Sequence, residues 1–221
     1  MKQLGLFITQ RCNLKCRLCS GHIPYVKEPE DEPLWILKRV IDNYFACVDF
    51  VKKIVITGGE TFLYKDLAEL LQYLYQYKNR FEELELFTNG TIVPEEKCLL
   101  ELQRFEESRK VSVKIFIDDY GAELSKGLDR VAFALAEKNI TYIVRNYNKK
   151  EPHCGGWVDF GDLKTVLWTT EEEKEKVKQN CAFLNQLGGC HGTSDGILYP
   201  CTPARIQAIF GLRDKSTVGG G

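Results

Sequence analysis

Along the first 145 residues, short apolar, β-branched runs alternate with longer segments in which apolar side chains return every three or four positions. Runs of the first kind are Leu4 to Thr9, Ile54 to Thr57, Leu84 to Thr88, Val111 to Asp118 and Ile140 to Arg145, and each predicts a strand. The segments between them predict four helices. Leu34, Leu37, Ile41, Tyr44 and Val48 form one stripe, and Leu67, Leu70, Leu71, Leu74 and Tyr77 form a second, each suited to covering one face of a sheet. Pro94, Glu95 and Glu96 suit the first turn of a third helix, because proline has no N–H to leave unpaired and carboxylates favour the positive end of the dipole. Leu124, Leu128, Val131 and Leu135 mark a fourth.

This alternation is the sequence form of repeated βα units. Such units build either an open doubly wound sheet or a barrel, and the period does not choose between them. In both, the C-terminal ends of the strands form the ligand rim, so the residues just after each strand are the ones to read for chemistry. After Arg145 the pattern breaks. Asn146 to Gly161 is rich in Gly, Asn, Lys and His, and a boundary is expected near residue 150. Glu171 to Lys178 predicts a solvated helix face with opposite charges three and four residues apart. Asp195-Gly196 between two short runs predicts a tight hairpin that would draw Cys190 and Cys201 together.

The chain has 221 residues, 44% of them apolar and 28% charged, which fits one globular domain or one domain with a small appendage. With 30 basic and 31 acidic side chains it lacks the basic excess of a nucleic-acid binder. No apolar run approaches the roughly 18 residues of a spanning helix, and Met1 to Thr9 lacks the features of a secretory signal. The expectation is a cytoplasmic protein with neither nucleic acid nor membrane as partner. There, nine cysteines read as metal-binding or redox groups, since structural disulfides are rare in a reducing compartment. Cys47 and Cys98, embedded in helical patterns, are expected to be small buried hydrophobes, and His153 and His191 to be structural.

The densest chemistry is Cys12-x3-Cys16-x2-Cys19, directly after the first strand. Three thiolates so close can wrap one metal centre. One option is a [4Fe-4S] cube with one iron left open; another is a zinc ion completed by His22. Gly58-Gly59-Glu60 ends the second strand with two residues that admit close backbone approach and an acid that can bind an amino group, although an ordinary turn has the same composition. Thr88 and Asn89 offer a hydroxyl and an amide after the third strand. A zinc ribbon has no use for either.

Together these residues resemble the radical S-adenosylmethionine (SAM) superfamily over about residues 3 to 145. The resemblance implies a partial (β/α)6 TIM-like barrel over residues 1–150, in which Cys12, Cys16 and Cys19 hold a [4Fe-4S] cluster and SAM is cleaved to a 5′-deoxyadenosyl radical. It implies that Gly58, Gly59 and Glu60 cradle the methionine amino group and that Thr88 and Asn89 make polar contacts. Asp118 resembles the ribose contact, and Arg145 a residue near the carboxylate or adenine. Two positions depart from the pattern: Leu18 replaces a common aromatic, and Phe116 replaces a small polar residue that would donate a hydrogen bond.

Residues 151–221 resemble a shortened auxiliary-cluster region of the twitch and SPASM type, a small cysteine-rich α+β appendage whose ligands would be Cys154, Cys181, Cys190 and Cys201. Four thiolates would close that cluster, leaving it to accept electrons. The resulting expectation is a radical SAM oxidoreductase supplied by a low-potential donor such as flavodoxin or ferredoxin. Because the chain starts at the first strand, without room for a peptide-leader domain, the expected substrate is a small polar metabolite such as a sugar or cyclitol. The alternatives are a peptide-modifying maturase, a glycyl-radical activase or a zinc-stabilised binding module. Asp119, Tyr120 and Asp159 are base candidates by location.

Overall fold

The computed structural model describes residues 2–153, 156, 170–180, 190–194, 196–199 and 204–205. Among these residues lies one seven-stranded sheet: β1 (Gln3–Thr9), β2 (Val51–Gly58), β3 (Phe81–Thr88), β4 (Ser112–Asp119), β5 (Tyr142–Asn146), β6 (Cys190–Ser194) and β7 (Ile197–Tyr199). The helices are α1 (Leu34–Cys47), α2 (Leu67–Leu74), α3 (Glu96–Glu107), α4 (Leu128–Glu137) and α5 (Glu171–Asn180). β1 to β5 pair in parallel in chain order, a βα arrangement consistent with part of a barrel.

The core forms because α1 to α4 turn their stripes onto one sheet face. Leu37 and Ile41 of α1, Leu70 and Leu71 of α2, Leu102 and Phe105 of α3 and Val131 and Leu135 of α4 are all fully buried against the alternate strand residues Leu6, Ile56, Leu86 and Ile115. The opposite face carries Phe7, Val55, Phe87 and Phe116 together with the ion pairs Lys53–Glu85 at 3.0 Å and Lys114–Glu83 at 3.1 Å.

Several expectations are corrected. Among the described residues the further parallel strand, β6, lies beside β1, and the sheet runs β5-β4-β3-β2-β1-β6-β7. The physical reason is visible in burial. β1 is buried along almost its whole length, so its outer N–H and C=O groups need a protein partner, which β6 supplies, whereas Tyr142, Ile143 and Val144 of β5 are exposed and, among the described residues, β5 pairs with β4 alone.

Pro94 stands ahead of α3, whose N-cap is Glu95. Leu124 is an exposed turn residue, because Gly127 caps α4 and the helix begins at Leu128. Cys98 is buried, but Cys47 is exposed on the last turn of α1, off the stripe of Leu37, Ile41 and Tyr44. β6 and β7 pair antiparallel, with Ser194 opposite Ile197 and Gly196 at φ 76°; Asp195 and Cys201 lie outside the described residues. Among the described residues no helix is long and apolar enough to cross a membrane.

Candidate cofactor site

The rim begins where β1 runs out. The Thr9 hydroxyl donates to Asp31 at 2.6 Å and accepts from the Arg11 amide at 2.9 Å, turning the chain into the cysteine loop. The loop alternates: Arg11, Asn13, Lys15 and Arg17 are exposed, whereas Cys12, Leu14, Cys16 and Leu18 are half-buried. A tight turn follows, with the Cys19 amide donating to the Cys16 carbonyl and the His22 amide to the Cys19 carbonyl.

The end of β2 holds this loop in shape. The Gly59 amide donates to the Thr9 carbonyl and the Glu60 amide to the Arg11 carbonyl, both at 2.8 Å. A Cβ on Gly58 would lie 2.5 Å from the Thr9 oxygen, and one on Gly59 would lie 2.6 Å from the Arg11 carbonyl carbon. Neither position tolerates a side chain. The expected close approach is therefore present, and what approaches is the backbone of the cysteine loop.

Glu60 is fully buried. Its carboxylate accepts from the Thr88 hydroxyl at 2.7 Å, the Asn89 amide at 2.8 Å and the Phe62 amide at 3.0 Å, so it braces β2 against β3. Burial pushes this carboxyl up to about 6, against the pull of its three donors. The sequence resemblance assigns Glu60 to the methionine amino group; within the chain its carboxylate accepts two bonds on Oε1 and one on Oε2. Thr88 is buried in the same brace, and the Asn89 side chain turns to the cysteine loop.

On the other side of the rim, Asp118 accepts two hydrogen bonds from Arg145, at 2.6 and 2.7 Å, and one from the Tyr120 hydroxyl at 3.3 Å. Burial raises the Asp118 carboxyl, and Arg145 opposes that rise. The Arg145 guanidinium lies 4.6 Å from the ring centre of Phe87 and 5.1 Å from that of Phe116, and those rings stack on each other. Phe116 thus supplies a cation–π face where a small polar residue would supply a hydrogen bond. Asp119 is a turn acid bound to the Gly121 amide and to Asn146, while burial raises the Tyr120 phenol far above its ordinary range.

Sequence reasoning missed Asn13, Thr91 and Ser125. The Ser125 hydroxyl bonds the Asn89 and Asp118 carbonyls at 2.9 and 3.1 Å, joining the ends of β3 and β4. Thr91 could have been found by extending the polar run Thr88-Asn89-Gly90 by one residue. Cys154, Asp159, Cys181 and Cys201 lie outside the described residues. Cys190 opens β6 opposite Gln3, at the far end of β1 from Cys12.

The donor set suits a cluster. Burial, then the charges of Cys19 and Cys12, push the Cys16 thiol up to about 11, and burial also raises Cys12. Thiols raised in this way ionise when a cationic centre takes up their charge. Among the described residues no three His, Cys, Asp or Glu side chains converge on a point that could hold a single metal ion. Zinc would need sulfurs about 3.8 Å apart, from 2.3 Å bonds at tetrahedral angles. A cube takes each thiolate on a separate iron, so a wider spacing fits it.

A parallel βα sheet with three thiols on the loop after its first strand defines an α/β protein with a cysteine-rich rim. The chain belongs to the radical SAM superfamily, whose family profile matches residues 6–151. Membership implies a [4Fe-4S] cluster and SAM. Among curated proteins the chain is similar to the GTP 3′,8-cyclase of Campylobacter lari, at 31% identity over 144 residues, which are 65% of this chain and 40% of that protein. The GTP 3′,8-cyclase of Nautilia profundicola is 29% identical over 65% of this chain and 48% of its own length. The chain thus spans less than half the length of these relatives. Among solved structures, native anSMEcpe with bound AdoMet shares the fold, with a TM-score of 0.52 at 18% identity, covering 65% of this chain and 43% of that one.

Proposed function

We propose that Cys12, Cys16 and Cys19 ligate the [4Fe-4S] cluster and that the chain is a radical SAM enzyme acting on a purine nucleotide. The observation that carries the first part is the cysteine loop, held in shape by Gly58 and Gly59 within the matched family region. When bound, the cluster and SAM supply reductive cleavage of the sulfonium and abstraction of a hydrogen atom from substrate. The protein's share is to bind, orient and exclude water. Gly58 and Gly59 shape the ligand loop, the Glu60–Thr88 brace fixes the rim beside it, and the Asp118–Arg145 pair presents charge over the Phe87 and Phe116 rings.

The sugar- or cyclitol-like substrate expected from sequence is set aside, because the relatives named above are GTP cyclases. Support for a nucleotide comes from that similarity. Oxidoreduction is not part of this reading. An auxiliary cluster on Cys154, Cys181, Cys190 and Cys201, and a low-potential donor of the flavodoxin or ferredoxin class, complete the proposal; the cysteine spacing supports the former.

Anaerobic reconstitution tests it. Wild type is expected to hold roughly eight irons, falling to about four in the Cys12→Ala, Cys16→Ala, Cys19→Ala triple variant, which no longer yields 5′-deoxyadenosine. About four falling to near zero removes the auxiliary cluster, and stoichiometric zinc without iron overturns the whole reading. GTP is expected to accelerate SAM cleavage where free sugars do not; equal acceleration by sugars overturns the nucleotide assignment.

A further inference from the structure

We infer that Asn89 is a positioning residue for the cluster, acting through Cys12 by a hydrogen bond to its sulfur, and is not a contact to SAM. This inference rests on the ligand assignment proposed above. Asn89 is 7% exposed, and its side chain has no hydrogen-bonding capacity to spare. Its Nδ2 donates to Cys12 Sγ at 3.7 Å and to Asn13 Oδ1 at 3.0 Å, and its Oδ1 accepts from the Thr91 amide at 3.0 Å and from the Thr91 hydroxyl. An amide has two N–H donors and two carbonyl lone pairs, so all are used within the chain.

The direction of the amide is determined by chemistry. The Thr91 backbone N–H can only donate, so the oxygen must face it and the nitrogen must face the sulfur. Asn13 locks the arrangement from the other side, its Nδ2 donating to the Thr91 hydroxyl at 2.8 Å. The backbone is held as well: the Asn89 amide donates to Glu60 and its carbonyl accepts from Ser125. The nitrogen is therefore presented to Cys12 by fixed elements at the ends of β3 and β4.

A donor on a ligating sulfur draws off negative charge and favours the more negative, reduced state, so hydrogen bonds to sulfur raise a cluster's potential. The Leu14 amide donates to the same sulfur at 3.4 Å, which makes Cys12 a ligand with both a local and a long-range donor. Asn89 sets the second of these, from 77 residues away.

The test is an anaerobic redox titration of the reconstituted protein followed by paramagnetic resonance, with iron content and SAM affinity measured on the same samples. In Asn89→Ala and the nearly isosteric Asn89→Asp, the reduced-to-oxidised ratio at a fixed potential is expected to fall about tenfold, which is 59 mV for a one-electron couple. Iron loading and SAM affinity are expected to stay within about twofold of wild type, the amide making no SAM contact. Thr91→Val keeps the amide but frees its oxygen from the hydroxyl, and is expected to shift the ratio the same way by less; it serves where the Asn89 variants do not fold. An unmoved potential in loaded protein overturns the inference, as does a tenfold loss of SAM affinity at constant potential. A wild-type chain that binds no iron overturns this inference and the ligand assignment together, whereas iron with an unmoved potential overturns this one alone.

Discussion

The two faces of the sheet are made from the same strands by opposite rules. Towards the helices, β2, β3 and β4 present Ile54, Ile56, Leu84, Leu86, Val113 and Ile115, all 0% exposed. One residue along in each strand, the other face presents Lys53, Glu83, Glu85, Lys114, Phe116 and Asp118. A sheet alternates sides with every residue, so neighbouring residues serve different ends. One face supplies burial energy to the fold. The other keeps charges in contact with one another and carries the rim groups, so the chemistry stands on a base that does not depend on it.

Breaking the helix face is expected to do the most damage. Ile115→Ala removes a fully buried side chain in the middle of β4 and should cost about 2–5 kcal/mol in urea unfolding. A loss below 1 kcal/mol would mean that the helices collapse onto the gap. Breaking the open face is expected to cost less. Asp118→Asn strips Arg145 of its carboxylate and should cost about 2 kcal/mol, below the usual penalty for splitting a fully buried pair because the two side chains keep 19% and 13% exposure. Removing both charges with Asp118→Asn and Arg145→Met should recover most of that loss, and a double variant as unstable as the single one would show that the charge is not the cause.

The smallest effect sharpens the comparison at the rim. The buried Glu60 carboxyl is pushed up from 4.5 to about 6, so between those values the folded chain binds more protons than the unfolded one. Its stability contribution is present at low pH and is lost as pH rises through 6. Unfolding of metal-free wild type should therefore show about 1 kcal/mol more stability at pH 5 than at pH 7, relative to Glu60→Gln. Parallel profiles for the two proteins would mean that the carboxyl does not titrate in this range.

Much of the fold was legible because the strands alternate and the helices repeat, and both periods reflect one buried face. What the periods missed depends on contacts distant in sequence. Nothing local in Cys190-His191-Gly192-Thr193-Ser194 says that it belongs beside β1; the unpaired edge of a buried strand decides that. Leu124 has helical spacing, yet the helix waits for Gly127, where a Cβ would lie 2.6 Å from the Thr91 carbonyl oxygen. At the site, the three cysteines and the glycine pair could be read from composition and spacing. The direction of Glu60 could not, because it is set by Thr88 and by the Asn89 amide across the sheet.

The contact between Gly59 and the cysteine loop also has a consequence for synthesis. The glycine pair that shapes the loop follows its last cysteine by about forty residues, Gly58 and Gly59 after Cys19. A ribosome adding about 5–20 residues per second takes about 2–8 s to cover that distance. For that interval the nascent chain carries three thiols without the glycine pair that shapes their loop, and a growing chain is most open to oxidation or to the wrong metal before Gly58 and Gly59 emerge.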